Sequence, residues 1–265
     1  MSETIRFDDG AAYERAMGIW SRLVGEVFLE WLAPKPGLHW VDIGCGNGSF
    51  TELLVQRCAP RTISGVDPSD AQLEFARTRP ALANANATLR KGDAMALPFE
   101  DKAFDAATMA LVIFFVPDPK RGVAEMKRVV RPGGMIAAYA WDITNPGGFP
   151  FAPVGAELRN AGAADFPMPP SADISRSDAL RDLWTQAGLT SVQMREITVT
   201  RAFADFDDFW AATTGMGTMK ARLAEMPADK AAEVKERVRD RLPPDAQGRI
   251  SYSSRANAIR GVVPG

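Results

Sequence analysis

Three short stretches carry residue types and spacings that could hold a nucleoside-like ligand. The first is VDIGCGNGSF, residues 41–50, where Gly44, Gly46 and Gly48 alternate behind Asp42. Glycine lets a chain turn sharply and lets a ligand approach the backbone with no Cβ in the way. Alone, such a turn fits a dinucleotide site or nothing more than a tight bend. The second stretch is GVDPSD, residues 65–70. An acid at the end of a strand, here Asp67, can accept from both hydroxyls of a ribose; it can equally cap the next helix. The third is KGDAMALPFEDKAFD, residues 91–105. There Asp93 could accept from an adenine amino group, the Ala94 N–H could donate to a ring nitrogen, and Met95 could lie against the ring face. A nicotinamide enzyme has no need of this third element.

These residues need a frame. HWVDI (39–43), TISGV (62–66), ATLRK (87–91), a strand within 104–115 and MIAAYAW (135–141) read as five strands. Helical spacing separates them: Phe50, Leu53, Leu54 and Cys58 on one stretch, and Val123, Met126, Val129 and Val130 on another. Ser69-Asp70 can cap a helix, and Asp118-Pro119 can start one. Strands alternating with helices predict a mostly parallel, doubly wound sheet. Upstream, residues 11–33 are one or two amphipathic helices ended by APKPG. Downstream, 143–176 is rich in Pro, Gly and Ala and reads as an insertion over the sheet. Ser177 is expected to cap a helix closed by Gly188, 191–203 to form a sixth strand, 204–247 to be largely helical, and 249–263 to form a last strand. The charged run 229–241 reads as a solvated helix face.

Composition narrows the functions. The 265 residues include 46% hydrophobic and 24% charged residues, with a net charge of −2. With no basic stripe, a large nucleic-acid footprint is not expected. One histidine, His39, and two cysteines, Cys45 and Cys58, argue against a His-based metal site, a triad or a disulfide framework. A reducing cytoplasm fits best, and no apolar run reaches the roughly 18 residues of a membrane span. His39 opens the first strand, on the order of 15 Å from the carboxyl end where open sheets bind ligands. Cys45 has no adjacent base in sequence and reads as a small residue near a ligand, not a nucleophile.

The ordered set VDIGCGNG, GVDPS, GDAMALPFEDKAFD and FVPDPKRGVAEMKRVVRPGG, spanning roughly residues 38–142, resembles the bacterial small-molecule methyltransferases of the ubiquinone and menaquinone (UbiE-like) type, methyltransferase type 11. YERAMGIWSR (13–22) resembles the helix that closes over the cofactor in many relatives, while the C-terminal half matches only in outline. The resemblance implies a Rossmann-like α/β fold: a seven-stranded, mostly parallel doubly wound sheet, last strand antiparallel, with helical lid insertions at about 143–176 and 204–247. It implies an N-terminal helical cover over 1–36 and a methyltransferase domain over 37–265. It also implies S-adenosylmethionine as cofactor and S-adenosylhomocysteine as product. Asp42 would organise the turn, and Gly44, Cys45 and Gly46 would hold the methionine part. Asp67 would bind the ribose with Pro68 beside the adenine, Asp93 and Ala94 would read the adenine edge, and Ala110 and Leu111 would sit near the sulfonium.

Methyl transfer from a sulfonium needs alignment and exclusion of water more than a protein nucleophile. Aromatic faces can stabilise the cation, and Tyr13, Trp20, Phe114 and Trp141 are candidates. If an acceptor hydroxyl needs a base, Asp142 after the fifth strand is the first carboxylate to test. The lid segments offer Phe149, Phe151, Phe166, Met168, Phe206, Phe209, Trp210, Met216 and Met219, which favours a small, largely apolar or aromatic acceptor. The competing readings are an NAD(P)-dependent oxidoreductase and a cofactor-binding regulatory protein without turnover. Against the first, the turn is Gly-x-Gly-x-Gly, without the two residues that precede the last glycine of a dinucleotide motif. The sequence leaves the oligomeric state open.

Overall fold

The computed structural model describes residues 14–164, 166–215 and 217–265. Tyr13 and Met216 lie outside the described residues. A wide helical turn over Glu14–Gly18 leads into α1 (Ile19–Leu32), whose Trp20, Val24, Phe28 and Leu32 recur at helical spacing and are buried. Strand β1 (His39–Ile43) and helix α2 (Ser49–Cys58) flank the glycine turn. Then come β2 (Thr62–Asp67), α3 (Asp70–Arg77), the short α4 (Pro80–Ala83), β3 (Ala87–Lys91), β4 (Phe104–Ala110), α5 (Pro119–Val129) and β5 (Val130–Trp141). Ser69 Oγ accepts from the Gln72 N–H and Asp118 Oδ1 from the Arg121 N–H, so both expected caps form.

The sheet has seven strands in the order β3-β2-β1-β4-β5-β7-β6, with β6 (Thr190–Phe203) and β7 (Ile250–Val262). Strands β1 to β5 pair in parallel, and β7 runs antiparallel to both β5 and β6. The order reverses between β1 and β4, and such a switch point opens a crevice at the carboxyl ends of the strands. Side chains alternate across the pleat and feed two cores. Ala137, Tyr139 and Trp141 of β5 join α1 and α2 on one face. Ile136, Ala138 and Ala140 join α5 and the helix at 177–186 on the other.

Helix α6 (Ala152–Asn160) lies in the inserted segment, followed by α7 (Ser177–Gln186), α8 (Phe206–Thr214), α9 (Gly217–Ala224) and α10 (Ala228–Asp240). Ser177 is the first helical residue of α7 and makes no cap. Arg176 precedes it without a side-chain cap bond, and the Asp178 carboxylate takes the Ala179 N–H. Segment 143–176 splits in two. Val154 and Leu158 of α6 pack with Phe209, Met219, Val234 and Val238 of α8 to α10, whereas Ser171 binds the Phe114 and Val116 carbonyls after β4. On α10 only Val234 and Val238 are buried, and the charged run faces solvent. Among the described residues no helix is long and apolar enough to cross a membrane.

Candidate active site

At the switch point the glycine turn is strapped to β2. The N–H groups of Gly44 and Cys45 donate to the Val66 carbonyl at 2.7 and 3.0 Å. The Gly46 N–H donates to Asp67 Oδ2 at 2.9 Å, and the Ser69 N–H donates to Oδ1 at 2.9 Å. Asp67 therefore joins the glycine turn to the start of α3. A carboxylate has about four lone-pair sites, so each oxygen keeps capacity for a hydroxyl. Gly44 has φ 72°, and a Cβ there would stand 2.4 Å from Val112 Cγ2. Gly46 has φ 51°, but the space its Cβ would fill is open, the nearest atom being Gln72 Oε1 at 3.9 Å. Packing dictates the first glycine, and the second lines a cradle.

Beneath the turn Asp42 is buried. Its Oδ2 accepts from Thr51 Oγ1 at 2.6 Å and its Oδ1 from Thr108 Oγ1 at 3.4 Å, so α2 and β4 are both tied to β1. Burial pushes the Asp42 carboxyl up to about 7, opposed by the two hydroxyls and assisted by the negative charge of Asp67. Burial also pushes Asp67 up, opposed by the Ser69 and Gly46 N–H groups. Two desolvated acids under one cradle favour a positively charged ligand, which stabilises their ionised forms.

The third stretch closes beside Asp67. The Gly92 N–H donates to the Asp67 carbonyl at 3.2 Å, Asp93 Oδ1 accepts from the Met95 N–H at 2.8 Å, and Asp93 pairs with Ala96. Arg121 of α5 holds the Met95 carbonyl at 2.8 Å. Asp93 is exposed, Ala94 and Met95 are half-buried, and Pro68 is exposed beside them in the β2–α3 turn. After β4, Ala110 is half-buried and Leu111 takes φ 62°, its N–H donating to the Tyr139 carbonyl. That kink places Val112 over Gly44. Cys45 is buried, and burial drives its thiol well above the usual range, so it holds its proton. His39 stays at the opposite end of β1, bound to Thr62 Oγ1 at 2.8 Å.

The structure thus brings Asp42, Gly44, Cys45, Gly46, Asp67, Pro68, Asp93, Ala94 and Met95 around one crevice, with Ala110 and Leu111 at its β4 edge. Trp20, expected against the cofactor, packs instead among Trp141, Tyr252 and Phe203 at ring distances of 6.3, 6.2 and 6.4 Å. Asp142 is buried, and both its oxygens are hydrogen-bonded. Asn145 Nδ2 donates to each at 2.7 Å, and Arg255 donates to Oδ2 from Nη2 at 2.5 Å and from Nε at 3.0 Å. It clamps the end of β5 to β7 and to the following loop.

Residues 41–138 match the family described as Methyltransferase domain. Over those residues the chain is similar to that family. A demethylmenaquinone methyltransferase of Desulfitobacterium hafniense is 41% identical to it over 115 residues, 42% of this chain and 45% of that protein. The chain spans under half the length of the curated relatives it matches. The fold of the chain is shared with the YcgJ protein of Bacillus subtilis at a TM-score of 0.59 and 17% identity, covering 91% of this chain and 98% of that one. It is shared also with Haemonchus contortus phosphoethanolamine N-methyltransferase 2, solved with S-adenosyl-L-methionine. There the TM-score is 0.58 at 16% identity, over 96% of this chain and 56% of that one.

Residues that the sequence did not mark support the candidate site. Asn47 Nδ2 donates to Glu14 Oε2 at 2.8 Å. Arg79 donates through Nε to the Asn47 carbonyl at 2.6 Å, through Nη2 to Glu14 at 2.6 Å and through Nη1 to Glu52 at 2.7 Å. This network pins the turn before α1 onto the glycine loop. Arg79 is separated from Asn47 by 32 residues and from Glu14 by 65, so no local pattern marked it.

Proposed function

We propose that the protein transfers the methyl group of S-adenosylmethionine to a small, largely apolar or aromatic acceptor. The carrying observation is the Asp67 junction: one carboxylate binds the Gly46 and Ser69 N–H groups, keeps lone pairs for a ribose, and borders an open glycine cradle. The Ala94 N–H and the Met95 side chain fit an adenine, and the two desolvated acids, Asp42 and Asp67, suit a cationic cofactor. When bound, that cofactor supplies an activated methyl group whose carbon–sulfur bond breaks with its electron pair remaining on sulfur. The residues of the chain then have to align the acceptor lone pair with the methyl carbon and keep water out.

Asp142 is assigned to holding the loop after β5 in place, because it is paired with Arg255 and bonded by Asn145 through both oxygens. The relatives named for demethylmenaquinone methylation support a small-molecule acceptor. Calorimetry in the presence of a chelator should give one S-adenosylhomocysteine site per chain, and incubation of a phenol and quinol panel with S-adenosylmethionine should release S-adenosylhomocysteine. Binding of NAD(P) instead, or binding that needs added Mg²⁺, would contradict this reading.

A further inference from the structure

Strands β6 and β7 run on after β5 has ended. Trp141, the last residue of β5, faces Ala256 of β7, which in turn faces Ile197 of β6. Residues 198–203 and 250–255 therefore project beyond the carboxyl end of β5 as a two-stranded ribbon, roughly 20 Å long at strand rise. Its inner face carries Val199 and Phe203 into the core shared with Ile197, Ala256, Trp20 and Trp141. Arg201 belongs to the same face by alternation.

Arg201 is 8% exposed. Its Nη1 donates to the Ala16 carbonyl at 3.3 Å, and its guanidinium lies 4.4 Å from the Phe203 ring centre. Among the described residues it has no ion pair. Asp208 attracts it only at longer range and accepts from the Ala204 N–H with its own Oδ2. Burial pulls the pKa of Arg201 down, with Asp208 opposing. A buried cation without an anion is costly unless something else supplies the charge.

Two further donors share its face. Ser254 is 1% exposed, and among the described residues its Oγ has no partner. It faces Val199, so Arg201, two residues on, is its diagonal neighbour, at about 7–8 Å between backbones and within reach of a long side chain. Trp141 stands diagonally on the other side of Ser254, and its buried Nε1 likewise has no partner among the described residues. Trp20 and Tyr252 wall the same face, Tyr252 directly opposite Arg201. A guanidinium, a hydroxyl and an indole N–H together match an oxyanion attached to a ring.

We propose that Arg201, Ser254 Oγ and Trp141 Nε1 form a carboxylate subsite, so that the methyl acceptor is an aromatic or apolar acid. The subsite rests on the methyl-transfer reading of the adjoining crevice. The test is calorimetry on the full chain saturated with S-adenosylhomocysteine at pH 7, with benzoate and benzyl alcohol as probes. Benzoate should bind about tenfold or more tightly than its neutral counterpart. Arg201→Met should remove that preference and leave benzyl alcohol nearly unchanged. Equal affinities in the native chain overturn the proposal, as does a preference that survives Arg201→Met. Should that variant fail to fold by circular dichroism, Ser254→Ala and Trp141→Phe take its place, and a preference undiminished in both overturns it. If S-adenosylhomocysteine does not bind, the methyl-transfer reading fails, and the same titrations on the chain alone still decide the subsite.

Discussion

The carboxylates of the crevice differ in what surrounds them, and this sets what each can do. Asp67 holds two backbone N–H groups and retains acceptor capacity at the cradle. Asp67→Ala should weaken S-adenosylhomocysteine binding by about 1.5–3 kcal/mol, the range for hydrogen bonds to a charged group. Asp93→Ala should weaken it less, because the Ala94 backbone and the Met95 contact remain; calorimetry of both variants ranks them. Asp42 has a different signature. The folded chain keeps its proton up to about pH 7, whereas an unfolded chain releases it near 3.8. Stability should therefore fall as pH rises across that window, since the unfolded state binds fewer protons there. Urea midpoints at pH 5 and pH 8 should show this slope in the native chain and a flatter one in Asp42→Asn.

Among the elements, the glycine turn shows two uses of one residue type. At Gly44 a side chain would collide with Val112, and the backbone is left-handed besides. Gly44→Ala should destabilise the chain by about 1–3 kcal/mol, the usual cost of overpacking. Adding Val112→Ala should recover part of that loss in denaturant unfolding, and no recovery would mean that backbone strain alone sets the cost. The neighbouring network of Glu14, Asn47, Arg79 and Glu52 makes the N-terminal turn part of the loop's support.

For the molecule as a whole, the overhanging β6–β7 ribbon and helices α6 and α8 to α10 build a wall beyond the ends of the parallel strands. Phe209 is fully buried there, against Phe203, Phe206 and Tyr252 at 5.1, 6.1 and 6.4 Å between rings. Phe209→Ala should cost about 3–5 kcal/mol of stability. Trp210, half-buried and stacked on Phe206, and Phe151 should be tolerated better and alter turnover with cofactor affinity retained. A Phe209→Ala chain with unchanged unfolding and lost cofactor binding would instead place that ring in the site.

The sequence by itself determined most of the elements and the residues that meet at the switch point, because both are written locally. Short apolar runs at 39–43 and 135–141, the cap at Ser69, Asp118-Pro119, and three glycines behind Asp42 each act over a few positions, and the chain order of a parallel sheet brings their ends together. The cap expected at Ser177 does not form, and the division of 143–176 between two neighbours was not legible. Only the tertiary structure decided which polar groups meet. Asp142 finds Arg255 113 residues away, and Arg201 finds the Ala16 carbonyl at a separation of 185. Such partners follow from strand register and helix packing, and register depends on the pairing of whole strands, not on the spacing of any few residues.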